Sequence, residues 1–335
     1  MRLAPLRIAI VTDAWHPQRN GVVRVLATLA GTLGRMGHQV LVVEPGLFRT
    51  MPCPSYPEIP LSLWPKRRLA QLLDGFAPDA VHLATEGPLG WAGRAWCRRN
   101  GCAFTTAYHT KFPHYVRART GVPLSWPYAL IRRFHAPSSA VMCPSRSVHA
   151  ELGEWGFANA VEWSHGVDVA TFRPQPKDFL DVPRPLFMYV GRVAVEKNLP
   201  AFLSLDLPGS KMVVGDGPAR AALMKRFPKV HWRIANGDVE LSRYFAAGDC
   251  FVFPSLTDTF GLVMLEALAS GVPVAAFPVP GPLDVVGGAP VGVLRDDLRS
   301  AALAALDIPS QDCRDYATRF SWEHVARQFL SFLAV

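Results

Sequence analysis

The chain has 335 residues, of which 50% are hydrophobic and 19% are charged; this composition excludes an intrinsically disordered protein and leaves room for two domains. The formal net charge of +8 is unevenly distributed. Residues 1–172 contain 18 Lys and Arg against 10 Asp and Glu, whereas residues 173–335 contain 17 basic and 17 acidic residues. The asymmetry favours an anionic partner for the first half, such as a membrane surface, a nucleic acid or an acidic substrate. An Arg-rich background composition is the alternative.

The six cysteines indicate a reducing compartment. They are scattered along the chain, form no Cys-x-x-Cys pair and resemble neither a disulfide framework nor a zinc site. The N-terminal residues pass from MRLAPLR directly into IAIVTDAW, which does not have the pattern of a signal peptide. No apolar run approaches the ~20 residues that cross a bilayer. These features predict a cytoplasmic protein and leave docking on a membrane face open.

Apolar strand patterns alternate with helical patterns along the first half. The run RIAIVTDAW is short and β-branched, and apolar residues from Val22 to Met36 then recur at intervals of three and four, the spacing of an amphipathic helix. Alternation of this kind predicts a parallel sheet with helices on both faces. The strands predicted in this half are 7–15, 39–45, 79–87, 102–110 and 139–145.

A proline-rich segment interrupts the alternation. RPQPKDFLDVPRP at 173–185 contains four prolines and predicts an interdomain linker. Because the alternation resumes afterwards, we predict an α/β protein with two doubly wound domains and an interdomain cleft that holds the ligands, beyond the carboxyl ends of the strands. The later strands are predicted at 185–192, 210–218, 229–235, 249–255 and 272–278. The predicted divisions are an N-terminal domain at 1–173, a linker at 174–184, a C-terminal domain at 185–320 and, at 321–335, a helix that packs back on the N-terminal domain.

Charged residues and glycines recur at the predicted strand ends of the second half. Arg192 follows one strand, and Lys197 comes five residues later. The glycines of VVGDGPA would let a backbone approach a ligand closely. Asp258 stands where a helix begins and where free amides suit an anion such as phosphate, although an ordinary N-cap is the alternative. Glu266 lies within an apolar helix, where a carboxylate needs a partner.

Six motifs, in order, make the chain resemble retaining glycosyltransferases of the GT-B class, in glycosyltransferase family 4. Asp258 and Glu266 occupy the two-carboxylate motif of that family, with Asp where Glu is usual. The resemblance is to the branch with glycolipid synthases and sulfoquinovosyl- and mannosyl-transferases, and it implies two Rossmann-like domains, the first binding the acceptor and the second binding a sugar nucleotide. The motifs are NGVVR (20–24), YHTKFPHY (108–115), SHGVD (164–168), GRVAVEKN (191–198), GDGP (215–218) and TDTFGLVMLEALASGVPV (257–274).

The resemblance implies a donor site for a UDP- or GDP-sugar. Glu266 would hydrogen-bond the ribose hydroxyls, and Asp258 would hold the sugar. Arg192 and Lys197 would clamp the diphosphate, on which negative charge grows as the glycosidic bond breaks. The chain has no Asp-x-Asp motif, so we predict transfer without a metal ion or other cofactor. The further donor-site residues implied are Asn20, Gly21, Gly191, Asp216, Gly217, Thr259, Phe260, Gly261 and Leu262.

On the acceptor side the resemblance implies His109 as a catalytic contact near the transferred sugar. His165 and Asp168 would line the same side; purely structural roles are the alternative for all three. Two departures from the family leave part of the site unpredicted. Val22 stands where many relatives have a second glycine, and the segment 231–240 lacks the usual glycine after the strand, so the base of the donor is not predicted.

The acceptor is predicted from the segments 111–135 and 61–73, which interleave basic with aromatic residues and so suit an anionic membrane interface. We predict a membrane lipid such as diacylglycerol as acceptor, a peripheral location on the inner face of the cytoplasmic membrane, and no nucleic-acid partner, because no nucleic-acid-binding motif accompanies the basic residues. An ordinary solvated helix surface is the alternative for these segments. For the whole protein, the alternatives are a transferase with a soluble saccharide acceptor and an inactive, glycosyltransferase-like binding subunit.

Overall fold

The computed structural model describes residues 4–18, 20–53, 56–256, 258 and 260–334. The chain forms two compact units. One comprises Met1–His165 together with Trp322–Val335, and the other comprises Gly166–Ser321.

The first unit contains a six-stranded parallel sheet with the order β2-β1-β5-β6-β7-β8. The order reverses between β1 and β5, so the carboxyl ends of these two strands mark the switch point of the sheet. A separate antiparallel hairpin is formed by β3 and β4. The strands are β1 Arg7–Val11, β2 Gln39–Val43, β3 Thr50–Cys53, β4 Tyr56–Ser62, β5 Ala80–Leu83, β6 Phe104–Ala107, β7 Val141–Cys143 and β8 Ala160–Glu162. The helices are α1 Gly21–Arg35, α2 Lys66–Phe76, α3 Pro88–Arg99, α4 Phe112–Thr120, α5 Ser125–His135 and α6 Arg146–Glu154.

Helix α1 shows how the sequence pattern produces these elements. The Asn20 side chain caps its start, because Oδ1 accepts a hydrogen bond of 3.0 Å from the Val23 backbone N–H. Val23, Leu26 and Leu29, spaced by three residues, are all buried. The predicted pattern from Val22 onwards therefore marks the face that packs on the sheet.

The second unit contains another six-stranded parallel sheet, with the order β11-β10-β9-β12-β13-β14. Counted from β9 this is the 3-2-1-4-5-6 order of dinucleotide-binding folds, and its switch point lies between β9 and β12. The strands are β9 Leu186–Val190, β10 Ser210–Val214, β11 His231–Arg233, β12 Cys250–Phe253, β13 Val274–Ala276 and β14 Gly292–Leu294. The helices are α7 Leu199–Leu203, α8 Arg220–Arg226, α9 Asp238–Ala247, α10 Leu262–Ala269, α11 Pro280–Val285, α12 Leu298–Ala305 and α13 Ser310–Thr318. The prediction of two doubly wound α/β domains is confirmed.

Among the described residues, four strands lie outside the predicted set. The edge strands β8 and β14 have three residues each, too few for a periodic signal. The hairpin of β3 and β4 has four prolines within residues 50–62, and prolines argue against a strand in a sequence pattern.

The proline-rich segment 174–184 groups with the second unit, and the units divide after His165 rather than at 173. The Asp249 side chain holds this segment through three polar contacts. Its carboxylate contacts Lys177 Nζ at 2.6 Å and Arg184 Nη1 at 2.7 Å, and it also accepts the Leu186 backbone N–H at 2.7 Å.

The C-terminal helix α14, Trp322–Phe332, belongs to the first unit. It packs against α1, and the Trp163 indole N–H donates to the Val325 carbonyl oxygen at 3.2 Å. No helix within the described residues is long and apolar enough to cross a membrane.

Candidate functional site

The switch point of the second sheet brings two predicted charged residues together. Lys197 follows β9 and Asp258 follows β12, which are neighbours in the sheet. The loops that carry them are joined by Asn198, whose side-chain N–H donates to the Pro254 carbonyl oxygen at 3.1 Å. Ligands of doubly wound sheets bind at this position, so the geometry defines a candidate ligand site.

Lys197 and Asp258 form an ion pair between Nζ and Oδ1. Their side chains are 23% and 20% exposed, so both are largely shielded from solvent. The second carboxylate oxygen of Asp258, Oδ2, is buried and has no hydrogen-bond partner among the described residues. A buried acceptor of this kind is costly unless a ligand or water donates to it. Asp258 therefore offers one oxygen to a cation and the other to a donor group.

Glycines bring the loop after β9 against the loop after β10. A side chain at Gly215 would overlap the Gly191 carbonyl oxygen, and one at Gly217 would overlap that of Val193. Both glycines have positive φ, +152° and +155°. The two loops therefore meet backbone to backbone, which requires glycine.

One charged side chain on each of these two loops faces solvent. Arg192 and Asp216 are exposed, and Asp216 Oδ1 accepts the backbone N–H of Gly217 at 2.8 Å. Arg192 therefore lies exposed at the same sheet edge as Lys197.

The start of α10 carries the remaining predicted donor-site residues. Gly261 precedes the helix with φ +91°, Phe260 is buried at 4% exposure, and Leu262 is the first helical residue. Glu266 lies on the same helix and is also buried, at 4% exposure. The predicted residue Thr259 lies outside the described residues.

In the first unit, His109 and His165 lie together around Trp163. Their rings stack with centroids 6.0 Å apart, and each meets the Trp163 ring edge-on, at 6.1 and 5.7 Å. A third histidine, His82, meets Trp163 at 6.3 Å. Burial lowers the pKa of His109 to about 4, and it lowers those of His82 and His165 to about 3. All three are therefore neutral near pH 7.

This cluster makes stability depend on pH. The unfolded chain protonates its histidines near pH 6.5, whereas the folded protein resists protonation down to about pH 4. Unfolding therefore takes up protons below pH 6.5, and the stability of the fold is expected to fall between pH 6.5 and 4, by up to about 1.4 kcal/mol per pH unit for each histidine. Urea unfolding followed by tryptophan fluorescence at several pH values measures this slope. His82→Gln should make it shallower, and an equal slope in the wild type and in His82→Gln would contradict the assignment.

Two predicted donor-site residues, Asn20 and Gly21, and the predicted acceptor-side residue Asp168 lie elsewhere. The Asn20 side chain is used as the α1 cap, and Gly21 is the exposed first residue of that helix. Asp168 belongs to the second unit, where its carboxylate accepts the backbone N–H of Ala170 at 3.0 Å and the Thr171 hydroxyl at 2.6 Å. These bonds hold the turn that Asp168 begins.

Two carboxylates at the switch point of the first sheet were not among the predicted site residues. Asp13, two residues after β1, accepts from the Thr85 hydroxyl at 2.8 Å and from the backbone N–H groups of Leu89 and Gly90 at 2.9 and 3.3 Å. Burial raises its pKa, against the lowering effect of these bonds. Glu86 follows β5. Their position directly after strands was the available signal, because polar residues there lie at the ligand edge of the sheet.

Comparison with known proteins shows the class of this chain. Residues 19–171 match the family model described as Glycosyltransferase Family 4, and residues 184–308 match the model described as Glycosyl transferases group 1. A structure of Anabaena Alr3699/HepE in complex with UDP and glucose has the same fold, with a TM-score of 0.71 at 13% identity, over 97% of this chain and 98% of that one. The two units thus have the GT-B architecture of glycosyltransferases.

Three curated relatives are similar over most of the chain. A GDP-mannose-dependent alpha-mannosyltransferase of Mycobacterium tuberculosis is 31% identical over 86% of this chain and 83% of its own length. Sulfoquinovosyl transferase SQD2 of Arabidopsis thaliana is 33% identical over 71% of this chain and 50% of its own length. An alpha-monoglucosyldiacylglycerol synthase of Streptococcus pneumoniae is 27% identical over 90% of this chain and 78% of its own length.

The chain belongs to glycosyltransferase family 4. It is a hexosyltransferase that takes a sugar from a nucleotide-sugar donor, as the resemblance implied. The alternative of an inactive binding subunit is not supported.

Proposed function

We propose that the enzyme transfers a hexose from a UDP- or GDP-sugar to a hydroxyl group of a membrane lipid such as diacylglycerol, with retention of the anomeric configuration and without a metal ion. The observation that carries the donor half is the Lys197–Asp258 pair at the switch point of the second sheet. The lipid half rests on the exposed basic and aromatic residues of the first unit and on a relative whose name includes diacylglycerol.

The donor diphosphate replaces Asp258 as the partner of Lys197 in this proposal. A diphosphate carries more negative charge than one carboxylate, and Arg192 on the neighbouring loop adds a second cation. As the bond from the anomeric carbon to the diphosphate breaks, the two cations stabilise the growing charge. Asp258, released from Lys197, then accepts hydrogen bonds from sugar hydroxyls. Since both cations belong to the chain, the charge is neutralised without a metal.

Glu266 and His109 complete the proposed contacts. The buried carboxylate of Glu266 accepts hydrogen bonds from the ribose hydroxyls of the donor, which are strong because the acceptor is charged. His109 is neutral, because burial lowers its pKa to about 4. It therefore contacts the transferred sugar as an uncharged donor or acceptor and adds no positive charge beside the anomeric centre, where positive charge develops.

The surface for the lipid comprises two groups of exposed residues on the first unit. On α5, Trp126 is 69% exposed and Leu130 is 52% exposed, and the exposed Arg133 continues the same stripe at helical spacing. The second group precedes and begins α2, where Trp64 is 88% exposed. The exposed basic residues that follow it are Lys66, Arg67 and Arg68. Exposed Trp rings beside Lys and Arg are typical of an interface with anionic lipid.

Some residues of the predicted basic and aromatic segment do not contribute to this surface. Tyr128 and Phe134 are buried, at 2% and 0% exposure. Lys111 is paired with Glu151 at 2.6 Å. Within this segment the proposal therefore rests on Trp126, Leu130, Arg132 and Arg133. With the group around Trp64, it places the enzyme peripherally on the inner face of the cytoplasmic membrane.

Co-sedimentation with liposomes tests the membrane half. Binding to anionic vesicles is expected at low salt and should fall steeply as salt rises, because each Lys or Arg contributes about 1 kcal/mol within a Debye length of roughly 8–10 Å. Replacing both Arg132 and Arg133 with Ser should weaken binding while leaving nucleotide binding intact. The matched control replaces Arg98 and Arg99 with Ser. These two arginines are exposed at the end of α3, and their loss should leave binding to the vesicles closer to that of the wild type. Absence of binding at low salt, or equal binding by both double variants, would favour the soluble saccharide acceptor instead.

A further inference from the structure

Glu86 lies at the ligand edge of the first sheet, beside the predicted acceptor contact. Strands β5 and β6 are paired so that Leu83 lies opposite Thr106. Glu86 comes three residues after Leu83, and His109 comes three residues after Thr106. Glu86 and His109 therefore occupy equivalent positions beyond the carboxyl ends of two neighbouring strands. Burial lowers the pKa of His109, and the negative charge of Glu86 acts in the opposite direction.

One oxygen of the Glu86 carboxylate is held from within the core. His135 Nε2 lies 3.2 Å from Glu86 Oε1. Because a carboxylate oxygen accepts hydrogen bonds, the imidazole N–H is the donor in this contact. The His135 ring is 0% exposed, and its other nitrogen, Nδ1, lies 2.8 Å from the hydroxyl oxygen of Thr106. These two contacts of His135 hold the Glu86 carboxylate in one orientation, as supporting residues do in a preformed binding site.

The other oxygen, Oε2, receives no hydrogen bond from any residue that the structure describes. The Glu86 side chain is 23% exposed, so this oxygen is not sealed in the core. Asp13, the neighbouring carboxylate at the switch point, differs in this respect. Its two oxygens are taken by Thr85 and by the first amides of α3. Glu86 is thus the carboxylate of this pair that has acceptor capacity left for a ligand.

We propose that Glu86 is an acceptor-binding residue, whose Oε2 accepts a hydrogen bond from a hydroxyl group of the molecule that receives the sugar. The inference rests on the proposed function, since it requires a hydroxyl-bearing acceptor on the first unit. A fixed, charged oxygen suits a hydroxyl donor. The one free hydroxyl of diacylglycerol and the hydroxyls of a soluble saccharide both have this chemistry.

The test compares Glu86→Gln with Glu154→Gln, which removes the same charge from an exposed position at the end of α6 in the same unit. The rate of sugar transfer is measured with two donors, GDP-mannose and UDP-glucose. Each donor is tested with two acceptors, diacylglycerol in vesicles and soluble mannose. Glu86→Gln is expected to raise the KM for the acceptor by about 10- to 100-fold, the factor for loss of one charge-assisted hydrogen bond. The donor Kd from calorimetry should stay within about twofold, and Glu154→Gln should match the wild type.

Two outcomes would overturn the proposal: equal acceptor KM values in both variants, or a parallel loss of donor affinity and thermal stability in Glu86→Gln, which would give Glu86 a structural role. The acceptor arms separate this inference from the lipid proposal. If the wild type uses mannose and not diacylglycerol, the lipid acceptor is wrong, and the KM for mannose then decides on Glu86.

Discussion

Replacing Lys197 with Ala is expected to lower the rate of sugar transfer by about 10²-fold or more, and Arg192→Ala should have an effect of the same order. Each change removes a fixed cation from the departing diphosphate, and loss of one preorganised electrostatic contact costs about 2.7–4 kcal/mol in the transition state. Lys197 lies at the switch point, paired with Asp258 until the diphosphate takes its place. Steady-state rates at saturating donor measure the effect.

Two further variants make this prediction specific. Lys225→Ala removes an exposed lysine from α8 of the same unit and should leave the rate unchanged. Asp258→Asn releases Lys197 from its carboxylate, so it should bind the free nucleoside diphosphate more tightly while transfer falls. Wild-type rates in both Lys197→Ala and Arg192→Ala would show that neither cation acts on the donor.

Glu266→Ala is expected to weaken donor binding by about 1.5–3 kcal/mol, because the ribose hydroxyls lose a charged acceptor. Calorimetry with GDP and with UDP measures the affinity without the complication of turnover. Glu266 is buried at 4% exposure, so truncation also leaves a cavity in α10. Glu266→Gln keeps the shape and loses only the charge, and it should show most of the same loss. Unchanged affinity in two folded variants would make Glu266 a structural residue.

Much of the donor site was predictable because parallel sheets translate sequence order into position. Arg192, Lys197 and Asp258 each follow a recognisable apolar strand, and the rule that ligands bind beyond strand ends brings them to one edge. Gly215 and Gly217 were also recognisable, since the structure needs glycine where two loops meet backbone to backbone.

The first unit was harder to predict, because its functional groups depend on contacts between distant residues. His135 supports Glu86 across 49 positions of the chain, and Asp13 caps a helix that begins 75 residues later. Neither link leaves a local pattern in the sequence. The aromatic residues of α5 show the same limit: Trp126 and Phe134 look alike in composition, and only the helix orientation decides that the first is exposed and the second buried.

The most direct test of the proposed reaction is a transfer assay with the pure protein, in which GDP-mannose or UDP-glucose is mixed with vesicles that contain diacylglycerol and an anionic lipid, and the product is examined by NMR. The account predicts a glycolipid with the α-configuration of the donor, formed in the presence of a metal chelator and lost in Lys197→Ala. A β-linked product, dependence on an added divalent cation, or transfer only to a soluble saccharide would contradict it.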